Sequence, residues 1–146
     1  MTDDEMDGAL AEWASTRSPV ETQDPIWGLV TYRFARFAAE LAKADAKTLP
    51  PHRADIGNQL LRAAASVAAN IAEGYSRPTA PDRSRFYGYA LGSAREAAAW
   101  YAALENNPLS TETALARVAI LGRLRRLLFG MLKAARSRRG GVRFDP

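Results

Sequence analysis

The chain has 146 residues, of which 47% are hydrophobic and 25% are charged, and it contains no cysteine. This length and composition are typical of one globular domain, and the lack of cysteine excludes disulfides, thiolate catalysis and cysteine-ligated metal sites. The acidic start and the absence of an apolar run of about 18 residues lead us to expect a cytoplasmic protein without a signal peptide or membrane span.

The net charge of +4 hides a strong asymmetry between the two ends of the chain. Residues 1–24 carry seven acidic residues and one arginine, a net −6, whereas residues 113–144 carry nine basic residues and no acid, a net +9. An acidic start and a basic end indicate either self-association or an anionic partner. Because residues 1–24 contain few large apolar groups, we expect a mobile acidic arm there, with one short helix around 9–15.

After this arm, hydrophobic residues recur at steps of three and four, which predicts amphipathic α-helices. The first helix is expected to begin near Asp24, whose carboxylate can cap free backbone N–H groups, and to end before Pro50. The second is expected to end at Gly74 in the left-handed conformation of a C-terminal cap. Four helices are predicted, at about residues 25–47, 52–73, 82–105 and 110–137.

The third predicted helix is capped by Thr79 or by Asp82, and the fourth begins at Ser110 or Thr111. The predicted apolar face of the third helix consists of Phe86, Ala90, Ser93, Ala97, Trp100 and Leu104. Short links between four long helices predict an all-α, antiparallel up-down-up-down four-helix bundle over residues 25–137. A basic tail is predicted over residues 138–146.

The second and third predicted helices carry a sequence motif. Residues 59–66 read QLLRAAAS and residues 70–74 read NIAEG, and the third helix adds Gly92, Ser93 and Glu96. With these elements the chain resembles, over roughly residues 25–136, the four-helix bundle proteins related to the 23S rRNA intervening-sequence protein. That family includes proteins encoded by inserts within bacterial 23S rRNA genes and the accessory variability protein of diversity-generating retroelements.

This resemblance implies a homopentamer, a ring of bundles around a central channel that is often positively lined. For the retroelement members it implies binding to a reverse transcriptase and to nucleic acid. For most members it implies no settled activity.

The polar residues of the motif have two interpretations. Glu73 and Glu96 suggest a carboxylate site, but the chain has no Glu-x-x-His pair and a single histidine, His52, which argues against a metal centre. Alternatively, they are polar members of a helix interface that satisfy one another, with Glu73 paired to an arginine. We expect no catalytic residue, metal or cofactor, and assign structural or interface roles to Gln59, Arg62, Ser66, Asn70, Glu73, Gly74, Gly92, Ser93 and Glu96.

Gly92 interrupts the third helix at a cost of about 1 kcal/mol relative to alanine. We therefore expect either the second helix or a neighbouring subunit to pack closely against it.

The fourth predicted helix carries the strongest functional signal. Four of its basic residues recur near multiples of 3.6, so much of this charge shares a face: Arg123, Arg126, Lys133 and Arg136. The planar fork of arginine donates two hydrogen bonds to a phosphate. No base-reading motif accompanies them, which predicts contacts mostly to phosphates and a strong dependence on salt. The predicted nucleic-acid-binding residues are Arg117, Arg123, Arg125, Arg126, Lys133, Arg136, Arg138 and Arg139.

The sequence thus predicts a non-catalytic homo-oligomer with an accessory role that binds RNA in preference to DNA, or a nucleoprotein such as a reverse transcriptase. The alternative is a protein-binding adaptor or structural oligomer, in which the acidic arm docks on a basic partner or on a neighbouring subunit's tail. Deletion of residues 1–24 separates these functions, because unmasked nucleic-acid binding favours the first and loss of a protein partner favours the second. We expect no membrane role, since the bundle uses the apolar face of the basic helix.

Overall fold

A computed structural model describes residues 1–137 of the chain. Within this range the chain is helical and contains no β-strand, which confirms the predicted all-α fold class. Two short 3₁₀ turns, Pro25–Gly28 and Pro51–Arg53, precede two of the helices. The α-helices of this range are α1 (Asp3–Ser15), α2 (Pro19–Thr22), α3 (Val30–Lys47), α4 (Ala54–Tyr75), α5 (Ala80–Leu104) and α6 (Thr111–Ser137). No helix among residues 1–137 combines the length and the apolar character that crossing a bilayer requires.

The four long helices, α3 to α6, surround the hydrophobic core. Each packs against the next helix in sequence, and α6 also packs against α3. The facing sides of α4 and α5 are rich in alanine. Because the alanine side chain is small, the two helix axes can approach closely. The largest fully buried side chains are Phe34, Leu60, Val67, Ile71, Leu104, Ile120, Leu121, Leu124 and Leu128.

Helix α1 forms where the sequence predicts a mobile arm. Thr2 and Glu5 make a capping box, in which Thr2 Oγ1 accepts the Glu5 backbone N–H at 3.2 Å and the Glu5 carboxylate accepts the Thr2 N–H at 2.6 Å. The second of these hydrogen bonds lowers the pKa of the Glu5 carboxyl. Met6 and Leu10 are buried in the core cluster, and α1 packs on α3. Burial of such side chains stabilises by about 1.5–3 kcal/mol each, which favours the docked helix. The segment is an ordered helix over Asp3–Ser15, which corrects the expected mobile arm.

The starts of the long helices differ in detail from the prediction. Asp24 caps the 3₁₀ turn, because its Oδ1 accepts the backbone N–H of Ile26 at 3.1 Å, and α3 begins only at Val30. Of the two candidate caps for α5, Thr79 is the one observed, with its Oγ1 accepting the Asp82 N–H at 3.4 Å.

Gly74 lies inside α4, whose C-terminal cap is Ser76. This corrects the predicted left-handed cap. A Cβ atom at position 74 would lie 2.7 Å from Cε1 of Tyr87 and 3.1 Å from Cβ of Phe86. Glycine is therefore required here by the close approach of α5.

The buried face of α5 is rotated relative to the predicted face. Tyr87 and Tyr101 are buried at 3% and 2% exposure, whereas Phe86 and Trp100, which the sequence pattern places in the core, are half-buried. Both pairs have helical spacing, so periodicity alone does not separate them. The tyrosine at 101 tolerates full burial because its hydroxyl hydrogen-bonds to Asp45.

Candidate nucleic-acid interface

Arg117, a predicted nucleic-acid-binding residue, belongs to a polar cluster that joins α3, α5 and α6. Its Nε donates to Oδ2 of Asp45 at 2.7 Å and its Nη2 donates to Oδ1 at 3.2 Å. The Tyr101 hydroxyl donates to the same Oδ2 at 2.7 Å. Burial, and secondly the hydrogen bond to Asp45, raise the pKa of Tyr101, so the hydroxyl keeps its proton as a donor. Arg117 thus compensates a carboxylate that is only 8% exposed, and its fork is not free for a phosphate.

Arg123 and Arg126 are bound by the acidic helix α1. Arg123 Nη2 lies 2.8 Å from Oδ1 of Asp7, and its Nη1 donates to the Asp3 carbonyl oxygen at 2.8 Å. Arg126 Nη2 lies 3.1 Å from Oδ1 of Asp3. The Arg123 guanidinium also lies over the Phe34 ring at 4.8 Å, and its side chain is 17% exposed, against 62% for Arg126. The two arginines are therefore already engaged within the chain.

Three more of the predicted binding residues form a strip along α5 and α6 together with Arg95. We define the basic strip as Arg95, Arg125, Lys133 and Arg136. The three α6 residues share one side of the helix, because steps of 100° per residue bring positions 125, 133 and 136 within about 80° of one another. Arg95 on α5 joins them through Phe129, whose ring centroid lies 5.9 Å from the Arg95 guanidinium. Within residues 1–137, none of the four has a carboxylate at ion-pair distance.

Two surface depressions lie beside this strip. One, of about 370 Å³, is lined by Phe129, Gly130, Leu132, Lys133 and Arg136. The other, of about 210 Å³, is lined by Ala80, Pro81, Ser84, Ala135 and Arg136. Phe129 is 51% exposed, so a large apolar ring stands among cations at the surface. Aromatic rings in such surroundings are stacking surfaces for unpaired bases.

Two of the predicted binding residues, Arg138 and Arg139, lie outside the described residues. The predicted basic tail over residues 138–146 lies outside them as well.

Several motif residues of α4 and α5 make local polar contacts. Asn70 Nδ2 donates to the Ser66 carbonyl oxygen at 2.9 Å, and Glu73 forms an ion pair with Arg77. Trp100 Nε1 donates to Glu96 at 3.3 Å. Among residues 1–137 there is no group of three or more carboxylate and histidine side chains placed to hold a metal ion.

Most of the singled-out motif residues face outward from the bundle, whereas Gly74 is buried against α5. Half-buried positions are Ser66, Asn70 and Ser93, and exposed positions are Gln59, Arg62, Glu73, Gly92 and Glu96. A Cβ atom at Gly92 would meet no neighbouring atom within 4 Å. Close packing of α4 against Gly92, one of the two expected reasons for this glycine, is therefore not found, and the neighbouring-subunit alternative stays a prediction.

Three important residues are not singled out by the sequence. Asp45 is one of two acids in an amphipathic helix, and only the fold shows that it is buried beside Arg117. Arg95 sits in an alanine-rich segment with no other cation beside it. Phe129 has a detectable signal, since it falls four residues after Arg125, but an aromatic at that spacing is equally typical of a core position.

The model of the 23S rRNA-intervening sequence protein family matches residues 30–129. Among solved structures, the chain is similar to a protein of unknown function from the S23 ribosomal protein family of Bacteroides thetaiotaomicron. The two are 21% identical, the match covers 71% of this chain and 96% of that chain, and the TM-score is 0.67, a likeness that shows the fold. No curated protein matches the chain. Helix α1 and the last two members of the basic strip lie outside the matched residues.

Proposed function

The chain belongs to the 23S rRNA-intervening sequence protein family, and we propose that it is a non-catalytic, homo-oligomeric accessory protein that binds RNA through the basic strip. The observation that carries this proposal is the uncompensated charge of the strip. Arg117, Arg123 and Arg126 are paired with carboxylates inside the chain, whereas the four strip cations have none among residues 1–137. A cluster of cations without internal counter-charge attracts an anionic ligand.

The chemistry of the strip fits a phosphate backbone. From Arg125 to Arg136 the strip extends about 16 Å along α6, at 1.5 Å per residue, which is long enough to contact several phosphates. Arginine forks at both ends favour bidentate phosphate contacts, and Lys133 adds a point charge between them. The described residues form no β-strand, so they offer no β-sheet platform to select bases. Binding is thus expected to be mostly electrostatic and to weaken steeply with salt.

Phe129 favours RNA over duplex DNA as the ligand. Its exposed ring lies between the guanidinium of Arg95 and the depression that Lys133 and Arg136 line. Proteins that recognise RNA commonly stack splayed-out bases of loops and ends on such rings, and bases inside a duplex are not accessible in this way. The expected ligand is therefore a structured RNA with unpaired nucleotides.

Self-association is proposed from the outward-facing motif. The exposed side of α5 carries Gly88 and Gly92, both with open space where a Cβ atom would stand, and Tyr89 at 54% exposure. Small residues beside an exposed aromatic ring permit the close approach of a second copy. A ring of several copies, the pentamer that the resemblance implies, would repeat the basic strip around an axis and strengthen binding through avidity.

The test compares two neutralised variants that change net charge equally. Lys133→Gln/Arg136→Gln removes two charges of the strip, and Lys43→Gln/Lys47→Gln removes two exposed charges of α3. Affinity for a fluorescent stem-loop RNA is measured by anisotropy over a series of salt concentrations. The strip variant is expected to flatten the slope of log K against log salt by about 1.4–1.8, from 0.7–0.9 per lost phosphate contact, and the α3 variant to resemble wild type.

Two results contradict the proposal. If both variants weaken binding equally, only net charge matters and the strip is not the site. If wild type shows no salt-sensitive affinity for the stem-loop, the RNA function is wrong, and the strip would then be tested as a surface for an acidic protein partner.

A further inference from the structure

We infer that helix α1 is an acidic intramolecular ligand of α6 that competes with RNA for Arg123 and Arg126. The inference rests on the proposed function, because it concerns the regulation of the same basic surface. Without α1, that surface would extend from the basic strip across α6 to these two arginines. With α1 in place, two carboxylates and a carbonyl oxygen occupy their donors.

Helix α1 lies next to the basic strip on the surface of α6. Arg126 and Lys133 are seven residues apart, so they differ by about 20° around the axis of α6 and lie on the same line of the helix. Arg123 lies further round, where it meets Asp7 of α1. The surface that an RNA backbone would contact at Lys133 therefore continues directly to an arginine that Asp3 holds.

Helix α1 contacts Arg123 in the same way as a phosphate would. Both terminal nitrogens of Arg123 are used, one by the Asp7 carboxylate and one by the Asp3 carbonyl oxygen. A phosphate group would bind the same two nitrogens with two of its oxygens. Arg126 is bound at one nitrogen only and remains 62% exposed, so it is the contact that an incoming phosphate can reach first.

An apolar anchor keeps α1 in place. Asp3 and Asp7 are spaced i, i+4 and meet α6, while Met6 and Leu10 have the same spacing and enter the core. Because the anchor is apolar, α1 stays beside α6 when salt or phosphate weakens the ion pairs. A tethered competitor of this kind has a high effective concentration and raises the RNA concentration needed for binding.

The test uses two double variants of α1 that remove the same charge. Asp3→Asn/Asp7→Asn removes both carboxylate ion pairs to α6 and leaves the Asp3 carbonyl contact, and Asp4→Asn/Glu12→Gln neutralises two exposed acids that make no ion pair among the described residues. Stem-loop RNA affinity is measured at one low salt concentration, with thermal unfolding of each variant without RNA. Competition predicts that the first variant binds at least about fivefold more tightly than the second, the lower end of typical intramolecular coupling. It also predicts that the gain shrinks in an Arg126→Gln background.

The outcomes separate this inference from the proposed function. Equal affinities of the two variants, with RNA binding by wild type intact, overturn the competition and leave the RNA function standing. A lower unfolding temperature of the Asp3→Asn/Asp7→Asn variant without tighter binding assigns the contacts a purely structural role, which also overturns it. Absence of RNA binding by every variant contradicts both proposals.

Discussion

Removal of Arg117 should destabilise the fold without weakening RNA binding. The Arg117→Gln variant leaves the Asp45 carboxylate buried without its cation, and breaking such a pair costs about 3–5 kcal/mol. The Arg117 side chain is 21% exposed, so water partly replaces it and we expect the lower end, about 3 kcal/mol. Against a total stability of about 5–15 kcal/mol this is a large loss. At about 2–4 °C per kcal/mol for a chain of this size, the melting temperature falls by roughly 6–12 °C.

The assay is urea denaturation followed by circular dichroism, with stem-loop RNA affinity measured on the same samples. Arg125→Gln is the matched control, because Arg125 lies on the same helix but belongs to the basic strip. We expect its stability to stay within about 0.5 kcal/mol of wild type and its RNA affinity to fall. Combining Arg117→Gln with Asp45→Asn should destabilise by less than the sum of the two single changes, since the pair is lost only once.

Two results would refute this reasoning. A loss of stability below about 1 kcal/mol for Arg117→Gln would show that the cluster is no stronger than a surface ion pair. If the Arg117→Gln variant is fully folded but loses as much RNA affinity as the Arg125→Gln variant, Arg117 is part of the binding surface.

Four further substitutions test the packing and the pH dependence of stability. Gly74→Ala should lower the free energy of unfolding by about 1–3 kcal/mol, because the new methyl group overlaps Tyr87, whereas Gly8→Ala in open space should raise it by about 0.5–1 kcal/mol; urea denaturation measures both. Tyr101 has a pKa raised by folding, so above about pH 10 the unfolded chain releases a proton that the folded chain retains, and stability falls as pH rises. Tyr101→Phe should remove this part of the alkaline loss in unfolding measured from pH 8 to 11. Leu10→Ala should destabilise by about 2 kcal/mol and reduce helical circular dichroism through loss of α1; an unchanged spectrum and stability would show that α1 is not anchored by its apolar face.

The long helices could be predicted because their periodicity is strong, but their exact faces and the first helix could not. In α5, Tyr87 and Phe86 are both compatible with the helical spacing, and the choice depends on the partner that Tyr101 finds on α3. Helix α1 offers only Met6 and Leu10 as fully buried residues, so its composition resembles that of a disordered segment. Its order depends on the surface of α3 and on cations of α6, which no local pattern reveals.

The sequence predicts which residues of α6 are basic, but it does not predict which of them carboxylates on other helices pair with. Helical spacing places the basic residues of α6 on the surface, yet it contains no information about which carboxylates approach from other helices. Asp45 and Arg117 are 72 positions apart in the sequence, and Asp3 and Arg126 are 123 apart. Such pairs are decided by tertiary packing. They divide one run of basic residues into structural arginines and free ones.

The central claim is that copies of this bundle assemble and hold RNA through unpaired surface cations. Its most direct test is the light-scattering mass of the purified full chain, with and without a stem-loop RNA, at low and at moderate salt. The account predicts a mass of several chains that increases when RNA is added at low salt and returns to the protein value at moderate salt. A mass that RNA leaves unchanged at both salt concentrations would contradict it.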